Sequence, residues 1–197
     1  MKYTDSLDYY NRNAQAFYER TIHLDMSDAQ QKFLSYLPEQ ARILDAGCGV
    51  GRDAMAFQKL GHDVVAFDAS IEMVHQSSKL LGYPTLHLHF MDMDFVREFD
   101  GVWACASLLH VAYDDTRYIF EKIQRALKAG GIFYASYKYG NEKMVVGTRT
   151  FYNMNETLLS SYLQGLFEII AIWQTEAHPT NTQPDHNWLN LLAKKKV

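Results

Sequence analysis

Apolar and polar positions divide the chain into alternating helical and extended stretches. From Tyr3 to about Met26, the residues Leu7, Tyr10, Ala14, Phe17 and Tyr18 recur near helical spacing and predict an amphipathic helix. Ser27 or Asp28 is placed to cap a second helix that runs to Leu37 and is broken by Pro38. Arg42–Asp45 reads as a first strand and Asp53–Leu60 as a helix stopped by Gly61. The run Val64-Val65-Ala66-Phe67 marks a second buried strand within His62–Asp68, and Ser70–Leu81 a helix ending near Gly82. Thr85–Phe90, Gly101–Ala106 and Ile132–Tyr137 read as further strands. Asp114 or Asp115 caps a helix to Leu127 that Gly130-Gly131 ends. A long loop follows the fifth strand, then a helix over Asn155–Leu166 and two closing strands, Phe167–Trp173 and Trp188–Ala193. Strands alternating with helices predict a doubly wound, Rossmann-like α/β sheet. The last two strands have no helix between them, which predicts antiparallel pairing. The expectation is therefore seven strands with the last antiparallel, in a single domain over residues 1–197, with a helical cap over 1–40 and the core from 41.

Length and composition narrow the function classes. The 197 residues, 48% apolar and 21% charged, suit one soluble domain with a sizeable core. The net charge of −4 disfavours a nucleic-acid partner. Lys194-Lys195-Lys196, the only basic run, reads as a solvated tail. Two cysteines, Cys48 and Cys105, imply no disulfide framework and fit a reducing compartment, so the cytoplasm is expected. No apolar run is long enough for a membrane span, and the N-terminus lacks a signal pattern. His62, His178 and His186 show no metal-ligand spacing, so no metal is expected.

Ligands of open α/β sheets bind beyond the carboxyl ends of the strands. The first strand ends at Asp45, followed by Gly47, Cys48, Gly49 and Gly51. Glycines there permit a tight turn and close approach of a ligand to the main chain. This segment resembles motif I of class I S-adenosylmethionine (SAM)-dependent methyltransferases, an acidic residue followed by G-x-G-x-G. The nicotinamide fingerprint G-x-G-x-x-G differs from it, because Arg52 stands at the sixth position and Asp45 would repel a pyrophosphate. A sulfonium and an ammonium suit that acid instead. The second strand ends at Asp68, close to the spacing of about twenty residues expected for a ribose-binding acid; the alternative for Asp68 is a helix N-cap. Asp92, near the end of the third strand, is open between a turn residue and a partner for an adenine amino group.

The resemblance extends over almost the full chain. It includes Asp45–Gly51 (DAGCGVG), Asp68–Ser70 (DAS) followed by Met73, Met91–Met93 (MDM), and Leu127–Gly131 (LKAGG), where alanine replaces the usual proline. Asp8–Ala14 resembles small bacterial methyltransferases, including those of tellurite-resistance type. The resemblance implies SAM as cofactor, S-adenosylhomocysteine as product, and a binding set of Asp45, Gly47, Cys48, Gly49, Gly51, Asp68, Ala69, Met73, Asp92, Met93 and Ser107. It also implies an N-terminal helix over the cofactor, with Tyr10 and Tyr18 bordering the pocket; core packing is the equal alternative for both.

Amine-methylating DNA enzymes carry [DN]-P-P-[YF] after the fourth strand, where this chain has Ala106-Ser107-Leu108-Leu109. A small-molecule acceptor is therefore expected. Methyl transfer is an in-line displacement at an excellent leaving group, so positioning and water exclusion do most of the work. A base is needed only for a protonated acceptor. His110 is the candidate, against an alternative of helix-entry packing. Tyr113, Tyr137, Lys138, Arg149 and Tyr152 are expected around the acceptor. Tyr113, Tyr137, Tyr139, Tyr152 and Trp173 are candidates for an aromatic cage or ordinary packing. Lys138 and Arg149 suit an anionic acceptor or are solvated charge. A nicotinamide-dependent oxidoreductase and a non-catalytic SAM-binding protein are the rival readings. The acceptor atom, and the choice between monomer and homodimer, stay open.

Overall fold

The computed structural model describes residues 4–176 and 187–196. Five strands run parallel: β1 (Arg42–Ala46), β2 (Asp63–Asp68), β3 (Leu86–His87), β4 (Phe99–Ala104) and β5 (Leu127–Lys138). After the hairpin strands β6 (Lys143–Val146) and β7 (Arg149–Tyr152), β8 (Phe167–Thr175) and β9 (Trp188–Lys195) complete a seven-stranded sheet of order β3-β2-β1-β4-β5-β9-β8. β9 lies antiparallel to both neighbours, from Ile132↔Lys194 to Lys138↔Trp188 on one side and from Phe167↔Lys195 on the other. This is the expected Rossmann-like α/β sheet with its last strand reversed.

Alternation along the central strands serves two cores. Leu44, Ala46, Val102, Ala104, Phe133 and Ala135 face α6 (Tyr113–Ala126) and α7 (Glu156–Leu163). Ile43, Trp103, Ile132 and Tyr134 face the other way. They meet Phe33 of α3 (Ser27–Leu34), Ala54 and Phe57 of α4 (Arg52–Lys59), and Leu81 of α5 (Ile71–Leu81). Trp103 stacks on Tyr134 with centroids 3.8 Å apart, and its indole N–H is satisfied by Asp53 at 2.9 Å.

Several elements depart from the pattern-based expectation. The single N-terminal helix is two, α1 (Thr4–Arg12) and α2 (Ala14–Thr21). Asn13 leaves helical geometry between them (φ −119°, ψ 17°), and its amide donates to the Tyr9 carbonyl at 2.8 Å. α3 starts at Ser27 as expected, but Asp25 accepts the Ser27 N–H at 2.8 Å. α6 starts at Tyr113 with Ala112 at the N-cap position, so Asp114 and Asp115 fall in its first turn, where they favour the N-terminal dipole. The third strand shrinks to two residues before a 3-10 turn over Phe90–Asp92. The expected loop after β5 holds the β6–β7 hairpin, turned at Gly147 with φ +61°. The basic run is no free tail, because Lys194 and Lys195 belong to β9 and Lys195 Nζ donates to the Leu127 carbonyl at 2.7 Å. His178 and His186 lie outside the described residues; among those described, no cluster of three His, Cys, Asp or Glu is placed to hold a metal.

Candidate functional site

Because β1 lies between β2 and β4, the loops leaving their carboxyl ends diverge and open a crevice. A cavity of about 690 Å³ fills it. One wall is the pair of loops after β1 and β2. Gly47 and Cys48 both donate their N–H to the Phe67 carbonyl at 2.9 Å. Gly47 holds φ +72°, and a Cβ there would lie 2.5 Å from the Cβ of Ser107. Ser107 donates its hydroxyl to the Ala46 carbonyl at 2.7 Å, which pins the loop after β4 onto the end of β1. Gly49 holds φ +55°, and a Cβ there would meet only Phe17 at 3.5 Å, so α2 roofs this loop.

Asp68 ties the two loops together. One oxygen accepts the Gly49 N–H and the other the Ser70 N–H, each at 2.8 Å. The α5 cap is Ser70, whose Oγ accepts the Met73 N–H at 3.3 Å, rather than Asp68. Burial raises the Asp68 pKa, and the N–H groups of Ser70, Gly49 and Ala69 partly offset it. Asp45 is 2% exposed and accepts the Ala54 N–H at 3.0 Å. Burial, reinforced by Asp53, pushes its carboxyl well above the usual range. A carboxylate therefore already occupies the N-terminal turn of α4, where a pyrophosphate would need to rest. Arg52 works against this crowding but is itself bonded through two nitrogens to Asp53 at 2.9 and 2.8 Å.

The other wall combines distant segments. His110 closes a 3-10 turn (Leu108–His110) after β4. Its Nδ1 lies 2.7 Å from the Thr150 carbonyl, which only accepts, so Nδ1 carries the hydrogen. Nε2 is then the acceptor for the Tyr10 hydroxyl at 2.8 Å. Burial lowers the His110 pKa to about 4, with the Arg149 and Lys138 charges adding to the shift, so the ring is neutral at pH 7. Burial pushes Tyr10 up to about 12 despite the opposing Arg149 guanidinium. Burial and then Arg149 lower the Lys138 pKa, and its Nζ lies 4.1 Å from the Phe151 ring centre. Arg149 lies over the Tyr9 and Phe151 rings at 4.3 and 5.1 Å.

Of the residues singled out in the sequence, Asp45, Gly47, Cys48, Gly49, Asp68, Ala69, Met73, Ser107, Tyr10, His110, Lys138 and Arg149 line the one cavity. The others do not. Gly51 (φ +87°) packs on Ser77, where a Cβ would stand at 3.0 Å, and serves the approach of α4 to α5. Tyr18 packs beside Ala14, Val50 and Met73, while Phe17 takes the cavity side. Asp92 is exposed on its turn, and Met93 is core at 1% exposure. Tyr137 lies on the opposite face of β5 from Ser136 and Lys138, as two-residue alternation requires. Tyr152 is likewise opposite Arg149 and Phe151 on β7 and meets Tyr113, whose hydroxyl donates to the Asn153 carbonyl at 2.8 Å. Only Trp173 of the expected aromatic cage reaches the cavity. Phe17, Phe90, Ser136 and Phe151 line it unforeseen. Recognising Gly147 as a hairpin turn would have placed Phe151 beside Arg149. Nothing in the sequence signals the left-handed Ala106 (φ +51°), whose N–H donates to Ser136 Oγ at 2.9 Å.

Comparison with known proteins finds likenesses to methyltransferases. Residues 43–131 match a family described as a methyltransferase domain. A Bacillus subtilis (strain 168) protein named as a candidate methyltransferase, YqeM, is 35% identical over 104 residues, covering 49% of this chain and 42% of the relative. The magnesium-protoporphyrin O-methyltransferase of Rhodobacter capsulatus is 27% identical over 122 residues, covering 58% of this chain and 54% of the relative. The chain thus spans about half the length of these two relatives. The Burkholderia thailandensis 1,6-didemethyltoxoflavin-N1-methyltransferase, solved with 1,6-didemethyltoxoflavin and S-adenosylhomocysteine, superposes with a TM-score of 0.80 at 22% identity, covering 98% of this chain and 87% of that one. The fold is the Rossmann-like α/β fold of this neighbour. These matches make the chain similar to methyltransferases, and the last of them shares its fold.

Proposed function

We propose that this chain transfers a methyl group from SAM to a small-molecule acceptor. The observation that carries the reading is the buried Asp45 carboxylate beneath the glycine turn, bonded to the first turn of α4. A cationic ligand beside it would hold the carboxyl ionised against its burial, whereas a dinucleotide pyrophosphate would oppose that ionisation. SAM supplies an electrophilic methyl group on a sulfonium. The protein's part is to bind, orient and exclude water. In this reading Asp68 holds the ribose with the lone pairs that Gly49 and Ser70 leave free, and Asp45 faces the amino-acid end. Ala69 and Met73 flank the adenine, and Ser107 fixes the loop on which the acceptor rests. A protonated acceptor would pass its proton to His110 Nε2, directly or through the Tyr10 hydroxyl, which gives up its own proton as it receives the new one.

The reading includes a cytoplasmic location, supported by two free cysteines, and no nucleic-acid partner, supported by the net charge of −4. No helix among the described residues is long and apolar enough to cross a membrane. A monomer or a homodimer is compatible with a cavity lined by one chain. The tellurite-resistance resemblance of Asp8–Ala14 is a finer expectation, and it adds chalcogen oxyanions to the acceptors worth trying.

Thermal unfolding with SAM, S-adenosylhomocysteine and NAD in parallel tests the proposal. A ligand at a hundredfold its Kd adds about 2.7 kcal/mol of stability. A shift with the first two and none with NAD is expected; a shift with NAD alone overturns the reading. Turnover against thiols, amines, hydroxyls and chalcogen oxyanions follows. Binding of SAM without turnover of any of them would favour a non-catalytic SAM-binding protein.

A further inference from the structure

We infer that the acceptor is an oxyanion-bearing small molecule whose anionic group seats on Arg149 beside the Tyr10–His110 pair. This rests on the methyltransferase reading and adds the substrate class. Arg149 is only 9% exposed, yet it lines the cavity and its Nε has no hydrogen-bond partner among the described residues. None of the ion pairs among those residues includes it. The Tyr9 and Phe151 rings hold the guanidinium by its faces and the Tyr10 hydroxyl is hydrogen-bonded to it, which leaves the Nε–H to be satisfied by something else. A buried guanidinium without a carboxylate is costly, and a planar two-oxygen anion is the ligand its fork geometry fits.

The surroundings point the same way. Arg149 adds to the lowering of the pKa of both Lys138 and His110, which burial begins, so this wall carries an excess of positive potential. Asp45, Asp53 and Asp68 line the cavity on the cofactor wall and would repel an anion there. The anion is therefore confined to the Arg149 side. A neutral His110 Nε2 lies within reach of the nucleophile that the same molecule carries, with Tyr10 between them.

The test is calorimetric titration of the full chain with inorganic phosphate and, separately, with acetate, each against sodium chloride at matched ionic strength. It is run with and without S-adenosylhomocysteine on the wild type, Arg149→Gln and Arg149→Lys. The wild type is expected to bind one of the two oxyanions, and the stronger one identifies a phosphate-type or a carboxylate-type acceptor. Arg149→Gln should raise that Kd about tenfold or more, and Arg149→Lys by less, because it keeps the charge and loses the fork. S-adenosylhomocysteine affinity should change less than the anion's in both variants, because the contacts of Arg149 are with Tyr9, Tyr10 and Phe151 rather than with the glycine loops. No anion binding beyond chloride, or equal binding by the wild type and Arg149→Gln, overturns the inference. Should Arg149→Gln fail to fold, binding by Arg149→Lys at full wild-type strength overturns it. Loss of S-adenosylhomocysteine binding by the wild type, with anion binding intact, overturns the cofactor reading instead.

Discussion

The wall formed by the loops after β1 and β2 builds its surface from backbone and from acids close together in the chain, Asp45 through Asp68. The opposite wall draws Tyr10 from α1, His110 from a 3-10 turn, Lys138 from β5, and Arg149 with Phe151 from the β6–β7 hairpin. The first wall is shaped by missing side chains and by N–H groups that must point one way. The second is shaped by large side chains locked against one another. A substitution on the first wall should therefore act through geometry, and one on the second through charge and proton position.

The sharpest way to break this contrast is Gly47→Ala. Left-handed φ in a non-glycine residue costs about 1–2 kcal/mol and overpacking a further 1–3 kcal/mol. Urea unfolding should show a loss of about 2–5 kcal/mol, together with lost S-adenosylhomocysteine binding. Adding Ser107→Gly removes the Cβ that stands 2.5 Å from the new one and should return the steric part, leaving only the backbone part. Equal loss in the single and double variants would mean that the loop yields rather than clashes.

The second wall is tested by pH. The His110 pKa falls from about 6.5 in the unfolded chain to about 4 when buried. Its contribution is fully present above the unfolded value and is lost as pH drops through that window, because the unfolded chain then binds the extra proton. Asp45 and Asp68 have raised pKa values, so theirs runs oppositely, present at low pH and lost as pH rises through the folded values. The stability of the wild type relative to His110→Gln should therefore fall between about pH 6.5 and pH 4, by something on the order of a few kcal/mol. A difference that does not change with pH would contradict the neutral, buried imidazole.

Asp68→Ala should weaken S-adenosylhomocysteine binding by about 1.5–3 kcal/mol if Asp68 holds the ribose as proposed, since the change also removes the acceptor of the Gly49 and Ser70 N–H groups. Asp68→Asn, which keeps one acceptor oxygen, should fall between; affinity unchanged in both would remove the ribose assignment. The smallest effect belongs to Tyr113→Phe. It costs about 1 kcal/mol of stability through the lost bond to the Asn153 carbonyl and leaves both ligands' affinities unchanged in titration. A selective loss of acceptor turnover there would mean that Tyr113 reaches the acceptor after all.

The same contrast explains what could be read from the sequence. The apolar runs of β1, β2, β4 and β5 were legible as parallel strands with ligand contacts beyond their carboxyl ends, because buried parallel strands and their crossover helices leave a local signature. The glycines and Asp68 are likewise local, since turn geometry and N–H satisfaction are decided within a few residues. Tyr137 was misplaced because it was assigned by its place at a strand end, and Tyr152 because its segment was read as a loop, whereas alternation along each strand decides which face a side chain takes. Arg149 was read as either surface charge or anion ligand. Only the hairpin that packs it against Tyr9 of a helix far away in sequence makes it buried. The turn at Asn13 set Phe17 rather than Tyr18 over Gly49, an outcome of local backbone geometry that side-chain periodicity alone does not contain.

The reversed direction of β9 has a practical consequence for handling the protein. This strand starts beside the cavity, which Trp188 and Asn190 help to line, and runs away from it. By Lys195 the chain has travelled roughly 20 Å along the sheet, to the edge opposite the ligand crevice. A surface linker attached to a cysteine introduced at that edge of the sheet would hold immobilised molecules with the ligand crevice away from the surface, which suits ligand titrations on a sensor.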